Sequence, residues 1–389
     1  MKKVLFLALC LMILCLPALA DEAQDITDKC TITASGNSKQ IVNLFDNDYT
    51  TEWVSTHRGY IEIAAPEGDG VHALYVSWGG FITNWCVEAQ DENGKWVVIY
   101  ETEDQFYNQY IPLPEGYQSV RLKCMAPDYN HVLHVTELHV LGAGEAPSWV
   151  QQWKNFTGKA DIVLMVTDPG DEYLFFGGLI PHYVAKEKEV MLCVIVNTAS
   201  QYKSQLLDGL WHCGMTNYPY IAYFKPNMTS TARQQYALWS EVQFVRHVTR
   251  IVRIYKPDVL VTHSQDGEGI DGGHRVCADA AIRAIASAMD SKYDVGYGYK
   301  LYGNYQLPKL YLHAPATGEV TLNYNEPLSY FNGKSAFEVA SEAYMMQDYQ
   351  KKMTETLRTD GVFNGTAFTL HASEVGADTQ KNDLFENLQ

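Results

Sequence analysis

Short runs in which apolar and polar residues alternate fill the first part of the chain, from Cys30 to about Gly142. The clearest runs are residues 60–63, 73–78, 96–100 and 120–124, and turn-forming clusters at 92–94 and 114–116 punctuate the region. No helical period interrupts them. Strands at this spacing are typical of an all-β sandwich.

The pattern changes after residues 142–147, a stretch of Gly, Ala and Pro that predicts a linker. Continuous apolar runs at 160–166, 190–196 and 259–262 predict strands that are buried on both faces. Helical patterns over about 172–185, 230–255 and 274–289 alternate with these strands. The predicted fold class is therefore multidomain, with an N-terminal all-β jelly-roll sandwich (30–142) and a C-terminal α/β Rossmann-like parallel sheet (148–389). The ligand site of such a sheet lies at the carboxyl ends of its strands.

The first twenty residues predict a cleavable signal peptide (1–20). Lys2 and Lys3 precede an apolar run over residues 4–16, and small residues, Ala18 and Ala20, stand where a signal peptidase reads the chain. The run is too short for a stable membrane-spanning helix, and the alternative is an uncleaved anchor. We therefore expect a secreted, extracellular or cell-surface protein with no membrane span after processing.

The composition is acidic, with 46 Asp and Glu against 29 Lys and Arg and a net charge of −17. Such a charge repels phosphates, so we expect no nucleic-acid partner. The 26 Tyr and eight Trp suit both sandwich cores and sugar-stacking surfaces. Beyond Cys10 and Cys15 the cysteines are scattered and form no C-x-x-C pair, which argues against a zinc–thiolate cluster. A Cys30–Cys124 disulfide and a set of buried free thiols both stay open.

Carboxylates and imidazoles follow two of the predicted parallel strands. The residues after the first strand are Asp168, Asp171 and Glu172, and those after the third are His263, Asp266, Glu268, Asp271 and His274. Carboxylate and imidazole together form a ligand set for a divalent metal, which could acidify a bound water and polarise an amide carbonyl. The alternative is that these are capping and turn residues, since Asp and Gly are common where strands end.

From about Trp149 onward the chain resembles the PIG-L/LmbE-like de-N-acetylases. The resemblance rests on four blocks, which are 168–172 with Gly177 and Gly178, 206–211 with Gly214, the loop 262–274, and the tail 375–378 with 382–387. It implies a zinc enzyme that removes acetyl groups from N-acetylglucosamine in small conjugates. It also implies a bacterial origin and an N-acetylated glycan or amino-sugar conjugate as the partner.

The first motif of that family reads His-Pro-Asp-Asp-Glu, and here it reads Asp168-Pro169-Gly170-Asp171-Glu172. The resemblance implies Asp168, Asp171 and His274 as metal ligands. Two carboxylates with one imidazole are a harder set than the family's, so Mn²⁺ or Mg²⁺ competes better with Zn²⁺.

The general base of the family falls on Gly170, which has no side chain. Asp271 stands where the family has a His for proton donation. The remaining catalytic candidates are Asp271 itself, Glu172 and Glu268. General acid–base help is worth about 10²–10⁴-fold in rate, so its loss would be severe.

The first domain resembles the discoidin, or galactose-binding-like, sandwich through the segment 43–53. The resemblance implies a structural Ca²⁺ held by Asp46, Asp48, Thr51 and Glu137, and the alternative is a plain Asx turn. It also places sugar sites in loops at one end of the sandwich. The sugar-binding candidates are Trp53, His57, Arg58 and Trp85.

Three functions remain open from the sequence. The first is an extracellular metal-dependent de-N-acetylase of N-acetylglucosamine conjugates or glycans. The second is a catalytically inactive pseudoenzyme that acts as a secreted carbohydrate-binding protein. The third is a surface adhesin in which neither domain uses its cleft.

Overall fold

A computed structural model describes residues 21–80, 84–226, 229–269, 271–348 and 355–388. The predicted signal peptide lies outside the described residues. Within them no helix is long and apolar enough to cross a membrane. The cysteines of this part of the chain are all free thiols, and every one except Cys30 is buried.

The N-terminal region is a sandwich of two antiparallel sheets. The five-stranded sheet contains, in spatial order, β1 (Thr31–Ala34), β3 (Tyr60–Ala64), β8 (Ser119–Cys124), β5 (Trp85–Gln90) and β6 (Trp96–Tyr100). The four-stranded sheet contains β2 (Trp53–Val54), β9 (His134–Leu141), β4 (Val71–Trp78) and β7 (Asn108–Tyr117). Alternate residues of β3 and β8 are buried, as expected for strands that present one face to a core. The predicted N-terminal sandwich is confirmed.

The C-terminal region is a seven-stranded mixed sheet. Its strands in spatial order are β12 (Tyr220–Phe224), β11 (Val190–Val196), β10 (Ile162–Val166), β13 (Val259–Thr262), β14 (Lys309–His313), β16 (Ala367–Ser373) and β15 (Val320–Thr321). The pairings from β12 to β14 are parallel, and β16 adds to β14 antiparallel. The order reverses between β10 and β13, which is where ligands bind in open α/β sheets. The predicted parallel α/β core is confirmed, extended by two antiparallel strands.

Helices cover both faces of this sheet. They are α1 (Asp171–Leu174), α2 (Leu179–Val184), α3 (Ser200–His212), α4 (Ala232–Trp239), α5 (Glu241–Tyr255), α6 (Gly272–Met289) and α7 (Ala336–Tyr344). Short 3-10 helices lie at Thr27–Lys29, Ser38–Leu44, Tyr297–Tyr302, Ser329–Phe331 and Gly361–Phe363. Successive residues of β10 enter opposite apolar cores, Leu164 with α2 and α3 and Met165 with α5 and α6. This explains why the strand reads as one continuous apolar run.

The long helix predicted over residues 230–255 is two helices. Thr231 caps α4, since its side chain accepts the backbone N–H of Gln234. Ser240 then takes a positive φ of 61°, which no continuous helix allows, and α5 begins at the next residue.

The two regions meet at a polar seam centred on Asp208 of α3. Its carboxylate accepts hydrogen bonds from Tyr49 Oη (3.0 Å) and Asn108 Nδ2 (3.1 Å) of the sandwich and from Gln151 Nε2 (2.6 Å). Burial raises the pKa of Asp208 to about 6 against the opposing effect of these hydrogen bonds. The two regions are therefore joined through a carboxyl group that binds its proton more tightly in the folded state than in the unfolded state.

The C-terminal tail is fixed to the sheet by a buried ion pair. Lys309 of β14 is fully buried, and its ammonium contacts the carboxylate of Asp378 and the hydroxyl of Tyr311 (2.8 Å). Leu384 is fully buried in the same core. The tail is thus a packed part of the C-terminal domain.

Candidate functional site

The carboxyl ends of β10 and β13 bring the chemistry-bearing loops together. These strands are adjacent and parallel, with Leu164 opposite Val261. The residues that follow them, 167–172 and 263–274, therefore meet at the edge of the sheet, as predicted from the sequence. His313, the last residue of β14, reaches the same place because β14 pairs with β13.

Two imidazoles form the centre of this site. The rings of His263 and His274 stack with centroids 4.0 Å apart and planes 12° apart. Their Nε2 atoms face Asp171 Oδ2, at 3.5 Å from His263 and 3.3 Å from His274. Their Nδ1 atoms face Glu268 Oε2 at 2.8 Å and 3.1 Å. The ring pair therefore lies between two carboxylates.

Glu268 contacts a third imidazole as well. Its Oε1 lies 2.8 Å from Nδ1 of His313 and accepts the backbone N–H of Ser264 at 2.9 Å. Burial alone would raise the pKa of Glu268, but the imidazoles of His263, His274 and His313 outweigh it and hold that pKa well below its usual value. Burial would likewise lower the pKa of His274, yet Asp171 and Glu268 raise it well above its usual value. In this cluster the carboxylates stabilise the charged form of His274, and the imidazoles stabilise the charged form of Glu268, so each offsets the cost of burying the other.

Among the described residues, the His, Cys and acidic side chains that could share a metal ion are Asp171, His263 and His274, whose ligand atoms lie within 4.8 Å of one another. His263 thus takes the place that the sequence assigned to Asp168. Asp168 instead donates its backbone N–H to Asp171 Oδ2 (2.9 Å), and burial together with the charge of Asp171 raises the pKa of its carboxyl to about 7. The sequence analysis placed His263 in the converging set of side chains but did not assign it as a metal ligand, although its place directly after β13 was a usable signal.

The chemistry of this donor set suits a divalent ion, but its geometry does not. A metal lies in the plane of each imidazole that binds it, about 2.0–2.1 Å from the nitrogen. Because the rings of His263 and His274 are stacked with nearly parallel planes, the lone pairs of their nitrogens point in parallel directions and do not meet at one point. In addition, His263 Nε2 already accepts the backbone N–H of Thr167 at 3.1 Å. As arranged, the residues fit a hydrogen-bonded network and not a zinc centre.

The three catalytic candidates all serve the local structure. Glu172 is fully buried and accepts the N–H of Gly170 (2.7 Å) and Nε2 of Gln347 (2.9 Å), and burial raises its pKa to about 8. Asp271 caps α6 by accepting the N–H groups of Gly273 (2.6 Å) and His274 (3.3 Å). Glu268 holds the imidazoles. Both oxygens of Glu172 and of Glu268, and Oδ1 of Asp271, thus accept hydrogen bonds from the protein itself, and a role of these carboxylates in proton transfer stays a prediction.

Gly170 has a backbone that favours glycine. It precedes α1 with φ 100° and ψ −27°, a conformation that residues with a side chain rarely adopt. The turn that presents Asp171 to the imidazoles therefore depends on glycine here. A residue with a side chain cannot be placed here without strain.

The residues of the predicted calcium loop lie together in the sandwich. The N–H of Asp48 contacts Glu137 Oε1 (2.9 Å) and Asp46 Oδ1 (3.1 Å), and Thr51 donates its hydroxyl to Asp46 Oδ2 (2.7 Å). Burial raises the pKa of Glu137 to about 7. These contacts close an Asx-type turn with the loop's own donors. Calcium binding at this loop stays a prediction.

The four sugar-binding candidates divide into two pairs. Trp53 is fully buried and Trp85 is 5% exposed, and both pack in the sandwich core. The assignment of Trp53 to sugar is corrected, since a fully buried ring presents no face to a ligand, whereas Trp85 also lines a cavity with Asn84 and Glu101 and its assignment stays a prediction. Arg58 is exposed, and the ring of His57 packs 4.4 Å from that of Tyr129, which is 80% exposed.

No family model and no curated protein matches the chain. Several solved structures are similar in part. A family 32 carbohydrate-binding module of C. perfringens NanJ, in complex with galactose, is 14% identical with a TM-score of 0.26, and the match covers 31% of this chain and 98% of that one.

Two further structures match a larger share of the chain. A conserved protein of Thermus thermophilus is 13% identical with a TM-score of 0.37, covering 48% of this chain and 78% of that one. The hydratase GalB of Pseudomonas putida is 11% identical with a TM-score of 0.36, covering 49% and 80%. At these identities and TM-scores the likenesses carry no argument about function, which must come from the residues of this chain.

Proposed function

We propose that this chain is an extracellular carbohydrate-binding protein whose C-terminal domain keeps a de-N-acetylase-like fold without the catalytic base. The observation that carries the proposal is the exposed ring of Tyr129, which packs on the ring of His57 in a loop of the sandwich, with the exposed Arg58 next to His57 in the chain. The predicted signal peptide supports an extracellular location, and the ligand we expect is an N-acetylated glycan.

The end of the sandwich offers what a sugar requires. A pyranose has apolar C–H faces that pack on an aromatic ring and hydroxyls that need donors and acceptors. Tyr129 supplies an exposed ring, and Arg58 supplies guanidinium donors from an exposed loop position.

The loop that carries Tyr129 is ordered before any ligand arrives. Asp128 Oδ1 accepts the backbone N–H of Asn130 at 2.9 Å and lies 2.8 Å from Nδ1 of His131, while Asp128 O lies 3.1 Å from Nδ1 of His57. Order of this kind reduces the conformational entropy that binding must overcome. The surface therefore suits a weak but specific interaction with a sugar.

The C-terminal site supports the second half of the proposal. Proton abstraction from water needs a base with a free lone pair within hydrogen-bond reach. Glu172 and Glu268 direct both oxygens to groups of the protein, Asp271 uses Oδ1 to cap α6, and Gly170 has no side chain to offer. We expect no acetate release from N-acetylglucosamine oligomers.

The test is titration calorimetry of the whole chain with chitopentaose and with lactose, beside an acetate-release assay with added Zn²⁺ or Mn²⁺. We expect binding of at least one sugar, a loss of about tenfold or more in Tyr129→Ala, and no acetate. Tyr330→Ala removes a ring that is 55% exposed in the C-terminal domain and should change nothing.

Two outcomes would contradict the proposal in different ways. Acetate release that disappears in His274→Ala, with one bound metal per chain, would establish the de-N-acetylase instead. Absence of sugar binding, or binding that Tyr129→Ala leaves intact, would remove the sandwich end as the sugar site and favour an adhesin.

A further inference from the structure

A cavity lies where the sandwich meets the edge strand β12, and its lining includes no residue of the imidazole network or of the Tyr129 surface. Its volume is about 500 Å³, within the usual range for a small-ligand pocket. Aromatic side chains dominate its wall, namely Tyr107, Phe156, Tyr218, Tyr220 and Tyr223. No carboxylate of the described residues lines it, although the chain as a whole carries an excess of acidic residues.

The cavity contains a buried cation without a counter-charge. Lys203 of α3 is 8% exposed, and its ammonium donates to the hydroxyl of Tyr107 at 3.1 Å. An ammonium has three donors, and buried charges in proteins are normally paired. In the part of the chain that the structure describes, no carboxylate forms an ion pair with Lys203. The ammonium also lies 4.5 Å from the centre of the Tyr107 ring, a contact that stabilises a cation without using its N–H donors. Among the described residues its other N–H donors are therefore available to an anionic ligand.

The rim of the cavity carries a rigid aromatic platform. Tyr223 on β12 is 58% exposed, yet its ring stacks on Phe224 with centroids 4.9 Å and planes 17° apart, and it meets the ring of His247 edge-on at 5.3 Å. A ring that is exposed but held on two sides needs little ordering when a ligand packs against it.

Polar side chains complete the wall. Gln105 and Asn197 are exposed at the rim, and each carries an amide that can both donate and accept. Aromatic faces with amide groups match the alternating C–H and hydroxyl surfaces of a sugar ring, whereas the buried ammonium calls for a negative group on that ring.

We propose that this cavity binds an acidic sugar residue, a pyranose with a carboxylate on its ring as in the uronic acids. The carboxylate accepts from Lys203, the ring packs against the tyrosines, and the amides of Gln105 and Asn197 bind hydroxyls. This site is separate from the Tyr129 surface, so the two proposals can be tested independently of each other.

The test compares matched ligand pairs on the whole chain by titration calorimetry. Methyl glucuronide, galacturonide and mannuronide are each paired with the neutral methyl glycoside, from which they differ only by a carboxylate in place of a hydroxymethyl group. We expect at least one acidic member to bind about tenfold or more tightly than its parent, because a hydrogen bond between two ionised groups is about twice as strong as a neutral one.

Lys203→Met keeps the apolar stem of the side chain and removes the ammonium, so it should erase this preference. Lys334→Met removes an exposed lysine that pairs with Glu342 and should leave it unchanged. Tyr223→Ala should weaken the acidic and the neutral member alike, and Tyr129→Ala should affect neither.

Three results would overturn the proposal. One is that none of the acidic sugars binds more tightly than its neutral parent. Another is that Lys203→Met, shown to be folded by circular dichroism, retains the preference. A third is that inorganic sulfate competes fully with the best uronide at equal concentration, which would reveal an anion site with no use for the sugar ring.

Discussion

The imidazole network at the sheet edge and the aromatic surface at the sandwich end differ in what they leave open. His263 and His274 are buried, and each ring nitrogen lies within 3.5 Å of a carboxylate oxygen of Asp171 or Glu268. His57 and Tyr129 form a ring pair that solvent reaches. The network contains far more titratable side chains than the sandwich end. The sandwich end nevertheless leaves more of its surface free to contact a ligand.

This contrast shows that a concentration of titratable groups is not by itself a site. A carboxylate acts as base or ligand only if it has a lone pair that the fold does not use. Glu268 directs its oxygens to imidazoles and to one backbone amide, so its role is to stabilise. The largest effects of substitution should therefore appear in stability at the network and in binding at the sandwich end.

Glu268→Ala should have the largest effect. It leaves three buried imidazoles without their shared carboxylate, and removing one partner of a buried ion pair costs about 3–5 kcal/mol. Urea unfolding followed by circular dichroism measures this loss. Glu342→Ala is the matched control, because its exposed pairs with Lys334 and His212 should contribute less than about 1 kcal/mol. Equal losses in the two variants would show that the network is not structural.

Asp208→Asn should change how stability depends on pH. The pKa of Asp208 is raised by folding from 3.8 to about 6, so the folded state binds the proton more tightly. The stability that this proton confers is complete below pH 3.8 and is lost as pH rises through 6. The loss is at most about 3 kcal/mol, since Asp208 keeps some solvent contact.

Asparagine keeps the shape of Asp208 and can still accept from Asn108 and Gln151, but it does not ionise. The variant should therefore lack this part of the decline in unfolding free energy between about pH 4 and 7. Parallel curves for the variant and the parent chain would contradict the assignment of a buried, proton-binding carboxylate to the seam.

Gly170→Ala should lower the unfolding free energy by about 1–3 kcal/mol, because the methyl group is strained at a φ of 100°. Gly170→Asp should carry a similar cost and release no acetate, because the parallel planes of His263 and His274 do not direct their nitrogens toward one metal ion. Gain of turnover in Gly170→Asp, measured by acetate release with added Zn²⁺, would show that the site lacks only this one group.

Tyr129→Ala should have the smallest effect on stability, below about 0.5 kcal/mol, because the ring is 80% exposed. It should nonetheless remove sugar binding at the sandwich end. Thermal unfolding and calorimetry on the same sample separate the two effects. A large loss of stability in this variant would contradict the interpretation of the ring as a surface platform.

The strands in which every residue is buried were predictable from the sequence. The runs at 190–196 and 259–262 coincide with β11 and β13, because a strand buried on both faces is apolar throughout. The apolar pattern did not predict β12, whose Tyr220 and Tyr223 are only partly covered at the sheet edge. It joined α4 and α5 because the positive φ of Ser240 has no signature in such a pattern.

The members of the imidazole network were harder to predict than the fold. His313 reaches Glu268 only because β14 pairs with β13, and that pairing joins segments about 50 residues apart in the chain. The sequence also contained no measure of whether Trp85 faced the core or the solvent. Local pattern shows which strands exist, whereas strand order and facing direction decide which side chains share a site.

The buried pair of Lys309 and Asp378 has a consequence for how the domain opens. An ammonium cannot remain in an apolar core once its carboxylate leaves, so detachment of the tail also exposes β14 to solvent. The amide protons of β14 and of Leu384, which donates to the hydroxyl of Tyr183, should then exchange with solvent in one cooperative step. A tail that would ordinarily fray residue by residue becomes part of the same unfolding unit as the sheet.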